Sequence, residues 1–352
     1  VALTRPGKIL ATLVTLVVVI GGGLFAYTKL TGKSIDEVIG NSNNGTGDVP
    51  KECPLTGLKG DVPDRPVLAV KIENAPAARP QAGLEKADIV YEEPVEGGLT
   101  RFIAIFQCQD ADRLGPIRST RLVDGDIVRQ FKAKGSQPLF AHSGGIKDIV
   151  AMIPAAGLLD VGFDKEPSAY ERDPNRVIPH NLYSSTTELY AAAGDPTGAP
   201  PAMFNYDSRE PTRAKPGTNI HVPFATDAPT DTDVFWKWNE GKGAYFRRHG
   251  DTPHKVESGQ QISAKNVIVQ FVQTRPSGYY DVNGVPVEEI GATGQGRAIV
   301  FRNGKAIEGT WVRQFVEDRT VFKDSQGREI DLVAGNTWVE LVPESRVEAT
   351  FS

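Results

Sequence analysis

The longest apolar run in the chain lies near its start. Ile9 to Tyr27 is nineteen residues with no charge and only two threonines, bracketed by Arg5 and Lys8 before it and Lys29 and Lys33 after it. At about 1.5 Å rise per residue, a helix of that length spans roughly 28 Å, close to the hydrocarbon thickness of a bilayer. A soluble helix would keep a polar stripe, and this run has none. The pattern predicts a transmembrane anchor over residues 9–28, preceded by a short cytoplasmic tail, residues 1–8. The run passes through Gly21, Gly22 and Gly23 into Leu24 and Phe25 without an Ala-x-Ala site, which argues for an uncleaved anchor over a signal peptide. No cysteine follows it at the position that lipoprotein acylation needs.

Beyond the run the periodicity vanishes. Gly40-Asn41-Ser42-Asn43-Asn44-Gly45-Thr46-Gly47 is too poor in apolar residues to pack, so residues 29–60 read as a flexible linker. Apolar order returns at Val67-Leu68-Ala69-Val70-Lys71-Ile72, a buried strand. Asp88 to Glu92 and Leu99 to Phe106 are two β-rich runs joined through Glu96-Gly97-Gly98, as in a hairpin. Leu122 to Lys134 places Val123, Ile127, Val128 and Phe131 on one helical stripe. Leu139 to His142 reads as a strand that ends on Ser143-Gly144-Gly145 and feeds a helix from Lys147 to Ala156. Alternating strands and helices imply a mixed α/β domain over residues 61–210.

The texture changes in a proline-rich stretch from Gly194 to Ala228. After it come short alternating runs, at Asp233–Asn239, Ala244–Arg248, Asn266–Thr274, Ala298–Arg302, Thr310–Phe315, Thr320–Lys323 and Thr337–Val342. Turn signals separate them, among them Asn303-Gly304, the preferred type I′ hairpin pair. Residues 211–352 are therefore expected to form a smaller, mainly antiparallel β domain, giving an α+β chain overall. Trp236, Trp238, Trp311 and Trp338 all fall in this half, where core packing is the expectation.

Charge narrows the function classes. The net charge is −5, and Lys and Arg are scattered without a basic run, which removes the footprint of nucleic-acid binding. Basic residues stand two against two across the apolar run, so charge bias leaves the membrane orientation open. There are two cysteines, Cys53 and Cys108. They are either one disulfide made in an oxidising compartment or two unrelated buried thiols. A bridge would close a loop worth about 4 kcal/mol in the entropy model.

Several blocks of the chain resemble one family. They are Glu73-Asn74-Ala75-Pro76-Ala77-Ala78-Arg79-Pro80-Gln81, Ala87-Asp88-Ile89-Val90-Tyr91-Glu92, Glu96-Gly97-Gly98-Leu99-Thr100-Arg101-Phe102, Gly115-Pro116-Ile117-Arg118-Ser119-Thr120-Arg121 and Pro179-His180-Asn181-Leu182-Tyr183. Asn303-Gly304, Gly309-Thr310-Trp311 and Gly335-Asn336-Thr337-Trp338 continue the series. From about Pro66 to Pro343 the sequence resembles the YerB-like lipoproteins of bacteria, a domain family of unknown function. The resemblance implies a mixed α/β domain followed by a smaller β-rich one, on the extracytoplasmic side of a cell membrane. It implies no chemistry, and it differs in the anchor, since the family's lipoproteins carry an acylated cysteine.

Polar residues at predicted strand ends supply the candidate site. They are Glu92, Glu93 and Glu96 on the hairpin, Arg101 on its return strand, Arg118 and Arg121, His142 with Ser143, and His180 with Asn181. Arg118 and Arg121 would flank a helix amino end if Ser119 caps it, a setting that favours phosphate or carboxylate. Against that stands a purely architectural pairing of these arginines with Glu92, Glu93 or Asp124. His142 as a base acting on Ser143 lacks the Gly-x-Ser-x-Gly setting. No His-x-His, His-Glu-x-x-His or Cys-x-x-Cys spacing points to a metal, and no phosphate loop or dinucleotide fingerprint points to a cofactor. The sequence thus reads as a single-pass membrane protein with its bulk outside the cytoplasm, binding an anionic envelope component or an envelope protein. The alternative is an envelope enzyme: a glycan hydrolase built on two of the glutamates, or a transferase holding a lipid-linked phosphate on the arginines. Since Glu92 and Glu93 face opposite sides of a strand, only one of them could join Glu96 in a carboxylate pair.

Overall fold

A computed structural model describes residues 52–211, 213–224, 233–345 and 348–352. The expected tail and anchor and residues 29–51 of the expected linker lie outside these residues, while the rest of that stretch is not linker: Cys53, Leu55 and Thr56 are buried in the fold. Among the described residues, no helix is long and apolar enough to cross a membrane. Val49–Ser352 clusters as one compact unit and contains both hydrophobic cores.

Strand β1 (Leu68–Glu73) is buried along its whole length because both faces of its sheet are covered. It pairs antiparallel with β3 (Thr100–Phe106), which in turn pairs antiparallel with β2 (Ile89–Pro94). The hairpin joining β2 to β3 turns at Gly97 and Gly98, both with positive φ, a conformation cheap only for glycine. On the other edge of β1, β4 (Leu139–Ala141) and then β5 (Leu159–Asp160) add in parallel.

The sheet does not stop at the expected boundary near residue 210. Its order runs Val321–Asp324, Lys305–Arg313, Gly294–Arg302, Asn266–Val272, Thr337–Pro343, β2, β3, β1, β4, β5. The seam is parallel, with Ile89 opposite Thr337 and Glu92 opposite Glu340. The turn between Gly294–Arg302 and Lys305–Arg313 has positive φ at both Asn303 and Gly304, as a type I′ turn requires.

One face of the large sheet carries the helices Leu122–Arg129 and Lys147–Ala155, and Val123, Ile127, Val128 and Ile153 pack there with Ala69, Tyr91 and Ile103. The other face carries a smaller sheet built on Asn219–Val222, Val234–Asn239 and Ala244–His249, and Ile220, Trp236 and Tyr245 pack there with Val70, Phe102 and Trp338. Three of the four tryptophans, Trp236, Trp311 and Trp338, are core residues, whereas Trp238 is half-buried against Tyr245.

The first helix is shorter than its stripe predicts, ending at Arg129 instead of Lys134. Tertiary bonds stop it: Gln130 donates to Tyr91 Oη at 3.1 Å and accepts from Thr320 N at 3.2 Å, while Phe131 turns into the core. Cys53 and Cys108 form a disulfide with Cα atoms 6.0 Å apart, tying the first described segment to the end of β3.

Candidate functional site

The register of the first three strands places charge at one end of the sheet. Arg101 stands opposite both Glu73 on β1 and Glu93 on β2, so the three project from the same face. Past Ala141 the edge of β1 is taken up by Pro116–Arg118, through Glu73 N to Pro116 O at 2.9 Å and Arg118 N to Lys71 O at 2.8 Å. That segment delivers Arg118 and Arg121 to the mouth of the sheet. The His180 loop, the Glu96–Gly98 turn and the tip of the Thr274–Ile290 hairpin close the other sides. The result is a cleft of about 520 Å³ lined by Glu73, Glu96, Arg101, Arg118, Arg121 and His180, with Asp281 on the hairpin tip. That volume falls within the usual range for a small-molecule site.

The ion pairs within it are uneven. Arg121 holds Glu96 through Nε and Nη2, at 2.8 and 2.5 Å, and donates Nη1 to Thr120 O. Arg118 Nε donates to Glu73 Oε1 at 2.9 Å, and His180 Nδ1 lies 2.7 Å from Glu73 Oε2. Because a carboxylate only accepts, His180 carries its proton on Nδ1 there. Arg101 donates Nη1 to Ser119 O at 3.0 Å and makes no ion pair with any described carboxylate. Burial lowers its pKa to about 10, and the neighbouring Arg121 and Arg118 guanidinium groups push the same way. Asp281 is occupied by its own turn, accepting from Asn283 N and Val285 N at 2.8 Å each. Three guanidinium groups and three carboxylates, Glu73, Glu96 and Asp281, thus line the cleft; two of the carboxylates are directly paired, and among the described residues N–H groups on Arg101 and Arg118 have no protein acceptor.

The structure brings Glu96, Arg101, Arg118, Arg121 and His180 to this cleft and puts the other candidates elsewhere. Glu92 is on the opposite face of the sheet, fully buried, accepting from Arg247 Nη2 at 2.6 Å and Thr100 Oγ1 at 2.6 Å. Glu93 is on the cleft's face but lies below it, fully buried against Lys71. The hydrolase arrangement therefore keeps only Glu96 of its three glutamates in the cleft. His142 is buried with both ring nitrogens engaged: Nδ1 accepts from Gly144 N at 3.0 Å, and Nε2 is 3.0 Å from Asp160 Oδ1. No ring nitrogen remains to activate Ser143. Asn181 turns away from His180 and holds Arg172 through Oδ1 at 2.9 Å. Ser119 is not the helix cap. The N-cap is Arg121, whose backbone N–H is accepted by the Asp124 carboxylate at 2.8 Å.

Two groups escaped the sequence reading. Glu73 joins Arg118 to His180, and its signal was a second charge two positions after Lys71 in an otherwise apolar strand. The tip from Asp281 to Val285 comes from more than 150 residues away in the chain, and no local pattern announces it.

A groove of about 430 Å³ near the Val321–Asp324 strand is also charged, but there Arg209 and Arg328 pair with Asp207 and Asp324, and further carboxylates outnumber the cations. One group among the described residues gathers metal-type donors, Cys53, Asp88 and Cys108, and its two sulfurs are bonded to each other.

Comparison with known proteins follows this architecture. Residues 55–198 match the model described as "Protein of unknown function (DUF3048) N-terminal domain", and residues 220–339 match the corresponding C-terminal domain. The chain is 31% identical over 305 residues to "Putative lipoprotein YerB" of Bacillus subtilis (strain 168), covering 83% of this chain and 86% of that protein. The crystal structure of YerB from Bacillus subtilis superposes with a TM-score of 0.72 at 28% identity, covering 85% of this chain and 99% of that one. All of the cleft residues lie inside the matched regions except that the linker between the two models, residues 199–219, contributes none of them.

Proposed function

This chain belongs to the DUF3048 family, and on that premise we propose that it is an extracytoplasmic envelope protein that binds an anionic ligand in the arginine cleft. The observation that carries the reading is Arg101, a guanidinium lining a cleft of about 520 Å³ that makes no direct ion pair with any described carboxylate. A half-buried cation flanked by two further arginines is costly unless an anion completes it, and guanidinium forks fit the paired oxygens of phosphate or carboxylate. Both cysteines of the sequence are joined in the disulfide, a bond suited to an oxidising compartment. In this proposal the apolar run over residues 9–28 serves as the anchor, with the bulk of the chain outside the cytoplasm.

The test is calorimetric titration of the Val49–Ser352 unit with methyl phosphate and with acetate. Arg101→Ala is expected to weaken the preferred anion by about 1.5 to 3 kcal/mol, the range for a hydrogen bond to a charged group, with little change in melting temperature. Arg118→Ala is expected to weaken it as well, and its melting temperature reports how much Glu73 depends on that partner. Unchanged affinity in both variants, with sharply lowered melting temperatures, would show that the arginines serve architecture.

A further inference from the structure

The cleft has an apolar neighbour. Against the same Val95–Leu99 turn lies a slot of about 290 Å³ lined by Pro94, Val95, Leu99, Val123, Phe224 and Val287. Cleft and slot share Val95, Glu96, Gly97, Leu99, Arg121 and Val285, so they adjoin across the Val95–Leu99 turn. One is cationic and the other apolar. The Arg121–Glu96 and Arg118–Glu73 pairs are already formed, which leaves Arg101 as the cleft guanidinium without an ion pair among the described residues, with further N–H groups of Arg118 beside it.

The loops around the mouth add an independent observation. Val177 and Ile178, just before His180, are 78% and 68% exposed, and Tyr280 and Val282, on the hairpin tip, are 62% and 99% exposed. Scattered exposed apolar residues are ordinary, but here four large ones sit on the two loops that frame a single opening. A water-soluble anion has no use for them.

We infer that the ligand is an anionic amphiphile, with a phosphate-type head on Arg101 and Arg118 and one apolar chain in the adjoining slot. This rests on the anion-binding reading above and adds the ligand's class to it. The head supplies the acceptors that Arg101 and Arg118 lack, and the chain displaces water from Leu99, Val123 and Phe224. The exposed loop residues would meet the surface of the lipid layer from which such a molecule comes.

The experiment is a chain-length series on the Val49–Ser352 unit: inorganic phosphate, then ethyl, butyl, hexyl and octyl phosphate, each below its micellar concentration. Affinity is expected to rise by about threefold to fourfold per buried methylene and to level off when the slot is full. Pro286→Trp, which fills the slot from an exposed position that does not line the arginine cleft, should abolish the rise while leaving inorganic phosphate unchanged. Arg101→Ala should lower every member of the series by the same factor. Equal affinity for inorganic phosphate and all the alkyl phosphates would overturn the amphiphile and leave the anion site standing, with free phosphate as its ligand. A rise with chain length that survives Pro286→Trp would place the chain elsewhere and overturn it too. Absence of binding by every member would remove the anion site and, with it, this inference.

Discussion

Replacing Glu93 by glutamine tests the charge arrangement beneath the cleft. Lys71, Glu93 and Asp124 are all fully buried, and Lys71 Nζ contacts Glu93 Oε1 and Asp124 Oδ1. One cation cannot neutralise two carboxylates. Asp124 has two further donors, Thr120 Oγ1 at 2.9 Å and Arg121 N at 2.8 Å, whereas the second oxygen of Glu93 has no partner among the described residues. The proton therefore resides on Glu93, whose pKa is pushed from 4.5 up to about 8 by burial first and by Asp124 next, against the pull of Lys71. The unfolded chain releases this proton near pH 4.5 and the folded chain keeps it to about pH 8, so the stability it confers is full below the lower value and is lost as pH rises through the upper one. At about 1.4 kcal/mol per pH unit that interval sets a ceiling of about 5 kcal/mol. Glutamine keeps an acceptor for Lys71 and does not titrate. Urea unfolding at pH 5, 6, 7 and 8 should give Glu93→Gln a stability close to wild type at pH 5 and a growing advantage toward pH 8, with an unchanged m-value. Asp88, which burial raises to about 6, titrates in the same sense but is common to both proteins and cancels in the difference. A difference independent of pH, or one in which wild type gains as pH rises, would refute the assignment.

On the opposite face Arg247 is fully buried between Glu92, His249 and His254, so Arg247→Leu should cost about 3 to 5 kcal/mol by leaving Glu92 uncompensated; a midpoint shift worth less than about 1 kcal/mol would contradict this. Reducing the Cys53–Cys108 bridge should lower stability by about 4 kcal/mol in the loop-entropy model, and Cys53→Ser should then be insensitive to reductant. Unfolding curves that coincide with and without reductant would argue that the bond is energetically idle. The Val49–Ser352 unit should be soluble and melt in one cooperative step, and aggregation of that unit would mean the apolar run over residues 9–28 belongs to the fold.

Strand positions were legible because alternation and β-branched runs are local properties. Leu68–Glu73, Ile89–Pro94, Thr100–Phe106 and Thr337–Pro343 fall within a residue or two of their patterns. The same period correctly put Glu92 and Glu93 on opposite faces. Helix length was less legible, since the stripe to Lys134 continues past the point where Gln130 finds partners on Tyr91 and Thr320. His142 looked like a site residue because it ends a strand on glycines. Asp160, eighteen positions later on β5, makes it a structural hydrogen-bonded residue instead.

The sequence by itself marked most of the long strands, though not Asn219–Val222 or Pro286–Ile290, which charges share a side of a strand, and that two cysteines were available to bridge. Tertiary structure alone decided partnership. Whether an arginine is neutralised depends on registers between strands distant in the chain, such as Glu73 opposite Arg101 or Glu92 opposite Glu340. It also depends on loops, such as those of His180 and Asp281, that no periodicity brings together. Side-chain direction follows from the backbone's local geometry, while the identity of the neighbour follows from how apolar faces hundreds of residues apart exclude water together. That is why the arginines could be named from the chain, but the one without a carboxylate could not.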